Sequence, residues 1–421
     1  PYVMEMLKKL DEDTLIDAVG YGKMAQKLSV YNDKLYRDAL TGAYNFNTDA
    51  FWKNFLRDLE LGQLDNTEGY VCATVPQTGP AGIGFISMLG WGNAVTILPE
   101  MMYRQFGDEE ALPRQYESMK LFVEAEIRKM GKKNLWIGPS LGDWLAMGKG
   151  IAWQAMHNNP VSNAFIVHDL KVISETAERL GKREDAARYR RQLAATTDAY
   201  IKKFVSKNGI VAKDYQSAYI MALKYVLPEG ELRERVKKNF VANIRKNGLQ
   251  TGFFATEHLL PLLVEAGEQK LAYDVLLQEN CPGWMYQVKC GATTTWERWD
   301  ALKPDGTVNE EKMAGSGENM VSFNHYAFGS VGEFYYQYIL GIRPEKPGFA
   351  KLHFAPYPDE RLGGVSGSYL SVAGKIESAW RYEPDGCHIR LATPVEAVVL
   401  LPDGRSENVP AGTYEWTVKR P

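Results

Sequence analysis

The chain of 421 residues is 45% hydrophobic and 24% charged, which is ordinary for a globular protein with a large buried core. Lysines and arginines number 49 against 52 acids, and this near balance argues against nucleic acid or an anionic membrane surface as the main partner. No apolar run approaches the roughly 18 residues of a membrane-spanning helix. Aromatic residues make up 12%, and rings with polar groups suit carbohydrate, whose C–H faces stack on them.

The cysteines and the amino terminus are less informative. Cys72, Cys281, Cys290 and Cys387 show no Cys-x-x-Cys spacing, so neither a zinc site nor a redox site is predicted. Only Cys281 and Cys290 are near each other in sequence, and a disulfide between them stays open. Since the chain starts at Pro1 with neither a methionine nor a signal peptide, we expect a trimmed or processed piece, and its compartment stays open.

The first three quarters of the chain predict one helix after another, because apolar residues recur every three to five positions. The predicted helices are 1–27, 49–61, 93–106, 112–130, 162–180, 183–205, 216–227, 232–247, 256–266, 268–280 and 324–339. Glycine or proline falls at several of the breaks between them, as at Gly181. The segments predicted to be irregular are 78–91, 135–148, 282–292 and 302–320.

Near residue 341 the pattern changes to short strands separated by Pro-Asp, Asp-Gly and Ala-Gly turns. The predicted strands are 349–354, 367–372, 375–382, 388–392 and 397–401. A run of strands after a run of helices indicates separate domains rather than a βαβ fold. We therefore predict a helical domain over 1–340 and a β domain of sandwich size over 341–421.

About a dozen helices in hairpins fit either an α-solenoid or a closed toroid. A solenoid would repeat with a period of roughly 34 to 47 residues, and the sequence shows no such period. The long irregular segments carry tryptophans, glycines and acids, which suits a toroid whose loops on one face build a cleft. We predict the toroid.

The most informative segment is 291–300, with the sequence Gly-Ala-Thr-Thr-Thr-Trp-Glu-Arg-Trp-Asp. It places Glu297 between Trp296 and Trp299, which would form an apolar wall that raises a carboxyl pKa or stacks on a sugar ring. Arg298 would lower such a pKa or orient a neighbouring acid. The alternative interpretation is a buried ion pair in an aromatic core. A second aromatic cluster around a histidine, at 324–326, favours a functional site.

Six short motifs in this order resemble the bacterial α-L-rhamnosidases, from about Tyr44 to the carboxyl terminus. The motifs are Gly90-Trp91-Gly92-Asn93, Gly142-Asp143-Trp144-Leu145, Thr251-Gly252-Phe253, the segment 291–300, Asn324-His325-Tyr326-Ala327-Phe328-Gly329 and Gly341-Ile342-Arg343-Pro344. The resemblance implies a mainly α fold, an (α/α)6 barrel followed by a C-terminal β-sandwich. In the family further β domains precede the barrel, and we expect none of them in this sequence.

The resemblance also implies an inverting exo-glycosidase that removes terminal α-L-rhamnose and needs neither cofactor nor metal. In such enzymes an acid protonates the glycosidic oxygen, and a carboxylate about 6.5–9.5 Å away activates a water on the opposite face of the sugar. By residue-to-residue match Glu297 would be that base. The implied partner is a rhamnose-containing oligosaccharide or glycoside. The resemblance implies a bacterial protein of the cytoplasm, the periplasm or the exterior of the cell, and its oligomeric state stays open.

The same match implies a set of sugar contacts around Glu297: Trp91, Asp143, Trp144, Trp296, Trp299 and His325. Each also has a structural interpretation. The tryptophans would fill the core, Asp143 would cap the following segment, and His325 would be a hydrogen-bonded core histidine. Asn93 is interpreted as a helix N-cap without a chemical role.

The general acid is where the sequence departs from the family. Relatives carry a Cys-Pro-x-Arg-Glu stretch where this chain has 24–33, and one alignment places Gln26 at the acid. An amide cannot donate a proton as an acid does, so Asp33 is the preferred candidate, with Asp38 and Glu68 as others. The alternative function is a degenerate relative that binds carbohydrate without cleaving it. A polysaccharide lyase of toroid fold ranks last, because adjacent His and Tyr residues on a helix point in different directions.

Overall fold

The computed structural model describes residues 39–64, 68–69, 71, 75, 89–312 and 320–419. Helices come first in the described chain and strands follow. In chain order the α-helices are α1 (Ala39–Asn45), α2 (Asp49–Leu64), α3 (Ala94–Phe106), α4 (Ala111–Met130), α5 (Ile151–His157), α6 (Asn159–Arg179), α7 (Arg183–Phe204), α8 (Gln216–Met221), α9 (Glu231–Asn247), α10 (Phe253–Glu265), α11 (Gln269–Leu277), α12 (Trp284–Lys289) and α13 (Val331–Phe334).

Six of these helices form a closed inner ring. Each of α1, α3, α6, α8, α10 and α13 contacts the next, and α13 returns to contact α1. The outer helices α4, α7, α9 and α11 each pack on the inner helix that precedes them in the chain, and α2 packs on α3 and α4. Because the ring closes, the predicted (α/α)6 barrel is confirmed and the solenoid is excluded.

The residue patterns of the two layers explain this arrangement. The inner helix α10 buries almost every residue, including the polar Thr256 and His258, as a helix enclosed on all sides must. The outer helix α9 buries only Val236, Phe240, Asn243 and Ile244, whose spacing of four, three and one residues forms a single stripe. The other side of α9 carries charges into solvent.

Several helix bounds differ from the sequence-based prediction. The helix α12 lies within the predicted irregular segment 282–292, and α5 was not predicted. The helix predicted over 324–339 starts later, with a 3-10 turn at Ala327–Ser330 before α13 and a π-helical end at Tyr335–Ile339. The reason for the late start is that residue 325 is hydrogen-bonded to the preceding loop. The prediction over 1–27 and almost all of that over 78–91 lie outside the described residues.

Strands fill the remaining chain and form two four-stranded sheets. They are β1 (Ile342–Lys346), β2 (Lys351–Phe354), β3 (Gly364–Ser371), β4 (Gly374–Glu383), β5 (Gly386–Thr393), β6 (Ala397–Leu400), β7 (Ser406–Val409) and β8 (Gly412–Val418). The sheet orders are β1-β2-β6-β7 and β3-β4-β5-β8, with antiparallel neighbours except for the parallel pair β2 and β6. The predicted β-sandwich is confirmed. The strands β1 and β7 were not predicted because proline and polar residues interrupt their apolar alternation, whereas β8 was overlooked although Tyr414, Trp416 and Val418 alternate with polar residues.

The sandwich packs directly on the barrel. The indole of Trp380 in β4 donates a hydrogen bond to the carbonyl oxygen of Ile339 at 2.7 Å, and the Tyr44 hydroxyl of α1 donates to that of Ile342 at 3.0 Å. These bonds satisfy carbonyls at the end of the last inner helix and in the first strand. The sandwich therefore covers the carboxyl-terminal end of this inner helix.

The cysteines form no disulfide among those described, and no described helix is suited to a bilayer. The thiols of Cys281, Cys290 and Cys387 are free, so the disulfide left open between the first two is not formed. Among the helices in the described part of the chain, none is long and apolar enough to cross a bilayer.

Candidate active site

The family-like motifs other than 341–344 meet at one end of the toroid. Each inner helix is followed by a returning outer helix, so the inner helices run in the same direction and their amino termini share one end. The motif 90–93 precedes α3, the motif 251–253 leads into α10, and the motif 324–329 enters the last inner helix. The motif 142–145 lies in an irregular segment before α5 and α6. We call this end the loop end.

An aromatic cluster at the start of α10 joins these loops. The ring of Phe253 lies 6.5 Å from that of Trp91, 5.0 Å from that of His325 and 5.8 Å from that of Phe328, between centroids. Phe328 in turn stacks on Trp299 at 3.8 Å. Trp91 and His325, predicted from separate motifs, thus contact Phe253, and Trp299 joins the cluster through Phe328. Phe253 belongs to the family-like motif 251–253, for which the sequence predicts no role of its own.

Asp143 caps α10 from a distant loop. Its carboxylate is fully buried and accepts hydrogen bonds from the backbone N–H groups of Gly252 at 2.8 Å, Phe254 at 2.5 Å and Ala255 at 3.1 Å. A negative charge at a helix amino terminus is stabilised by the unpaired N–H groups there. The cap expected for Asp143 therefore exists, but on a helix more than one hundred residues later. Its direct contact with sugar stays a prediction.

Trp91 and Trp144 form one packed unit next to this cap. Their rings meet edge to face at 6.1 Å, and the Trp91 indole donates to the carbonyl oxygen of Gly142 at 3.3 Å. Trp91 also packs edge-on against Phe254 at 5.9 Å. Both tryptophans are buried. Their described contacts stabilise the loop end, and their role as a sugar platform stays a prediction.

Glu297 lies in a loop that pairs with the segment before the last inner helix. Its backbone N–H donates to the carbonyl oxygen of Ser322 at 2.8 Å. Two residues earlier, Thr295 exchanges two bonds with His325, accepting from its N–H at 2.8 Å and donating its hydroxyl to its carbonyl at 2.7 Å. The Glu297 side chain is half-buried. Glu297 and His325, predicted to act on one substrate, are thus held by one pair of hydrogen-bonded segments.

The two tryptophans beside Glu297 anchor this loop in two different clusters. Trp299 is fully buried, and its indole donates to the carbonyl oxygen of Thr251 at 2.9 Å. Trp296 is also buried and packs edge-on against Phe323 at 5.2 Å. Both rings fix the backbone on either side of Glu297, so the core interpretation holds for them. Their action as a wall against sugar stays a prediction.

Arg298 forms ion pairs with two acids, Asp300 and Glu311. Its guanidinium lies 2.7 Å from Asp300 and 2.9 Å from Glu311, measured between nitrogen and oxygen. Asp300 also accepts from the Asn309 side chain at 2.9 Å. Of the two roles predicted for Arg298, the structure shows the orientation of neighbouring acids.

Among the residues named for the general acid, only Glu68 lies within the described part of the chain. Gln26, Asp33 and Asp38 lie outside the described residues, so Asp33 stays a prediction. Glu68 is described, and its exposed carboxylate forms an ion pair with Lys129 of the outer helix α4 at 3.0 Å. Within the described ranges no group of three or more His, Cys, Asp or Glu side chains is arranged to hold a metal ion.

The opposite end of the toroid encloses a cavity of about 510 Å³, which we call the bore cavity. Its lining includes side chains from all six segments of the inner ring, among them Leu40, Glu100, His168, Tyr225, His258 and Glu333. Burial opposes the charge of His168, but its contacts with Asp169 and Glu100 prevail and raise its pKa to about 9. Burial also opposes ionisation of Glu100, yet His168 lowers its pKa to about 2. In this cavity His168 and Glu100 therefore each stabilise the charged form of the other.

Comparison with known protein families gives two matches that together cover most of the chain. The model of the bacterial alpha-L-rhamnosidase 6 hairpin glycosidase domain matches residues 30–339. The model of the bacterial alpha-L-rhamnosidase C-terminal domain matches residues 341–414.

Individual relatives agree with these models. An α-L-rhamnosidase of Alteromonas sp. (strain LOR) is 33% identical over 360 residues, which are 83% of this chain and 38% of the relative. The crystal structure of a Streptomyces avermitilis α-L-rhamnosidase complexed with L-rhamnose superposes with a TM-score of 0.83 at 29% identity, over 92% of this chain and 38% of that one. The crystal structure of the native α-L-rhamnosidase from Aspergillus terreus superposes with a TM-score of 0.84 at 28% sequence identity. The match covers 92% of this chain and 45% of that one. This chain thus spans less than half the length of each relative.

Proposed function

Because this chain belongs to the bacterial α-L-rhamnosidase six-hairpin glycosidase family, we propose that it hydrolyses terminal α-L-rhamnosides with inversion and that Glu297 is its general base. The observation that carries the proposal is the placement of Glu297. It is the half-buried acid of a loop whose backbone is anchored on both sides by buried tryptophans. Such a carboxylate is reachable by water while its backbone is held in place.

The proposed chemistry is a single displacement. The Glu297 carboxylate takes a proton from a water molecule as the water oxygen forms a bond to the anomeric carbon. The bond from that carbon to the glycosidic oxygen breaks, and the oxygen receives a proton from an acid on the other face of the sugar. We propose Asp33 as that acid. The products are β-L-rhamnose and the free alcohol.

We also propose that the loop end holds the sugar. The aromatic cluster around Phe253 brings Trp91 and His325 together, and His325 shares the paired segments of Glu297. In this proposal His325 bonds the sugar hydroxyls, while the other predicted contacts (Trp91, Asp143, Trp144, Trp296 and Trp299) build the wall of the site. The barrel over 1–340 carries the site, and the sandwich over 341–421 supports it.

The test is hydrolysis of two substrates by the same preparation. We expect release of L-rhamnose from an aryl α-L-rhamnoside and from a rhamnose-terminated disaccharide, and no release from an aryl α-D-glucoside. Activity on the aryl substrate alone would point to a working base without its acid, because a good leaving group needs little protonation. Binding of L-rhamnose without release from either rhamnoside would contradict the proposal.

The second candidate function is carbohydrate binding without cleavage, and the observation that favours it is Gln26 at the place of the family's acid. Titration calorimetry with L-rhamnose, combined with the assay above, separates the two. Saturable binding with no released sugar across acidic and neutral pH would support this candidate.

A further inference from the structure

Asn93 lies at the N-cap position of α3, but its side chain bonds to groups outside that helix. It precedes α3, yet its side chain forms no capping bond to that helix. Instead its carbonyl oxygen Oδ1 turns back and accepts the backbone N–H of Gly90 at 2.6 Å, and its amide Nδ2 donates to the carboxylate of Asp169 in α6. Asn93 therefore occupies the expected N-cap position, but its side chain does not cap the helix. The side chain links a turn at the loop end to a buried acid.

Asp169 is a fixed anchor for this link. It is fully buried, and one of its oxygens accepts from the Thr96 hydroxyl at 2.6 Å and lies 3.1 Å from Nδ1 of His168. The buried carboxyl of Glu126 in α4 lies beside it. Burial first, and then the charge of Asp169, raise the pKa of Glu126 well above its usual range. A carboxylate with partners from three helices is held in one orientation.

The turn that Asn93 holds determines where Trp91 lies. Gly90 has φ +87°, and a Cβ atom there would lie 2.9 Å from the ring of Phe254, so only glycine fits. The next residue is Trp91, whose ring packs edge-on against Trp144 and Phe254. A change in the turn would move the Trp91 ring relative to α10 and Phe253.

We propose that Asp169 is a positioning residue for the sugar site: through Asn93 it holds the Gly90 turn and thereby places Trp91. This inference rests on the proposed function, since Trp91 belongs to a sugar site only there. Asp169 itself does not touch substrate, because it is buried behind α3. The Asn93 side chain bonds to the backbone N–H of Gly90 at the loop end and to the carboxylate of Asp169 inside the barrel. A side chain that only filled the core would need neither of these bonds.

Exchange of the two side chains gives a sharp test. Asn93→Ala removes the link, and Asn93→Asp sets two carboxylates against each other. The double variant Asn93→Asp with Asp169→Asn restores one amide and one carboxylate in reversed positions. We expect Asn93→Ala to raise the KM for an aryl α-L-rhamnoside, or the Kd for L-rhamnose, by about tenfold with kcat changed less than about threefold. The exchanged pair should recover most of that loss.

A second readout does not depend on activity. Hydrogen exchange of the peptide over residues 89–93 should be slow in the wild type, faster in Asn93→Ala and slow again in the exchanged pair. Thr96→Val is the matched control: it removes another partner of Asp169 but not the bond to Gly90, so hydrogen exchange and KM should change clearly less than in Asn93→Ala.

Two results would overturn the proposal. One is an Asn93→Ala variant whose unfolding temperature falls while the hydrogen exchange of residues 89–93 and the affinity for sugar are unchanged. The other is an exchanged pair that folds but behaves no better than Asn93→Asp. If the wild type neither binds nor cleaves rhamnosides, the proposed function fails, and the exchange rates still decide whether Asp169 holds the turn.

Discussion

The two ends of the toroid use the same inner helices for different purposes. At the bore cavity, ionisable side chains meet each other, as Glu100 meets His168 at 3.4 Å and Tyr225 meets His258 at 3.1 Å. At the loop end, aromatic rings surround a half-buried Glu297 whose backbone is fixed by a neighbouring segment. The comparison teaches that a concentration of charge does not by itself mark a reaction site. Matched charges stabilise a fold, whereas an acid on an anchored loop is available for chemistry.

The largest effect should come from Glu297→Gln. Loss of the general base should lower kcat on an aryl α-L-rhamnoside by about a thousandfold or more, with KM changed little. The unfolding temperature should stay near that of the wild type, because the side chain is half-buried. Glu310→Gln, an exposed acid further along the same connection, is the control and should keep full activity. If Glu297→Gln retains more than about a tenth of the wild-type kcat, the role of Glu297 is wrong.

Trp299→Ala should have the largest effect on stability at the loop end. The fully buried ring stacks on Phe328, and its loss leaves a cavity, so we expect a decrease of about 3–5 kcal/mol in the free energy of unfolding, measured in urea. Trp136→Ala, which removes a half-buried ring outside the cluster, should cost clearly less. Equal costs for the two variants would contradict the role of Trp299 as the anchor of the Glu297 loop.

His168→Ala tests the matched charges of the bore cavity. The variant removes one partner of Glu100 and one partner of Asp169, and we expect a loss of about 2–3 kcal/mol in the free energy of unfolding. Lys171→Ala is the control in the same helix. Its ion pair with Glu175 is exposed, so its removal should cost less than about 0.5 kcal/mol. A loss for His168→Ala no larger than that of the control would show that the pair is not stabilising.

The stabilisation by this pair should also depend on pH. The raised pKa of His168, about 9, means that its contribution is complete below the ordinary histidine pKa and is lost as the pH rises through 9. The lowered pKa of Glu100, about 2, means that its contribution is complete above the ordinary glutamate pKa and is lost as the pH falls through 2. The difference in unfolding temperature between wild type and His168→Ala should therefore be larger at pH 5.5 than at pH 9.5. An equal or larger difference at pH 9.5 would contradict this assignment.

Much of the architecture could be predicted from the sequence, because amphipathic periodicity reports which side of a helix is buried. The outer helices and most strands follow that rule, and the closed ring followed from the irregular segments between helices. The helix α12 was missed because its six residues are too short for the period to appear. The late start of the last inner helix depends on a bond from His325 to Thr295, a contact across thirty residues that no local pattern contains.

The residues of the candidate site could be predicted from the sequence motifs, but their contacts with distant helices could not. The motif around Glu297 identified the loop, and the spacing of motifs identified its neighbours. The partners of Asp143 and Asn93 could not be predicted, since both look like local helix caps and both bond to distant helices. Phe253 was quoted only as a motif member, because nothing in the sequence distinguishes a ring that joins loops from one that fills the core.

The most direct test of the central proposal is the configuration of the first sugar released. Proton NMR during hydrolysis of an aryl α-L-rhamnoside, followed before the anomers equilibrate, distinguishes the two outcomes. A water molecule activated by Glu297 on the face opposite the leaving group should give β-L-rhamnose first. Release of α-L-rhamnose first would show retention, and would contradict the role of Glu297 as a base.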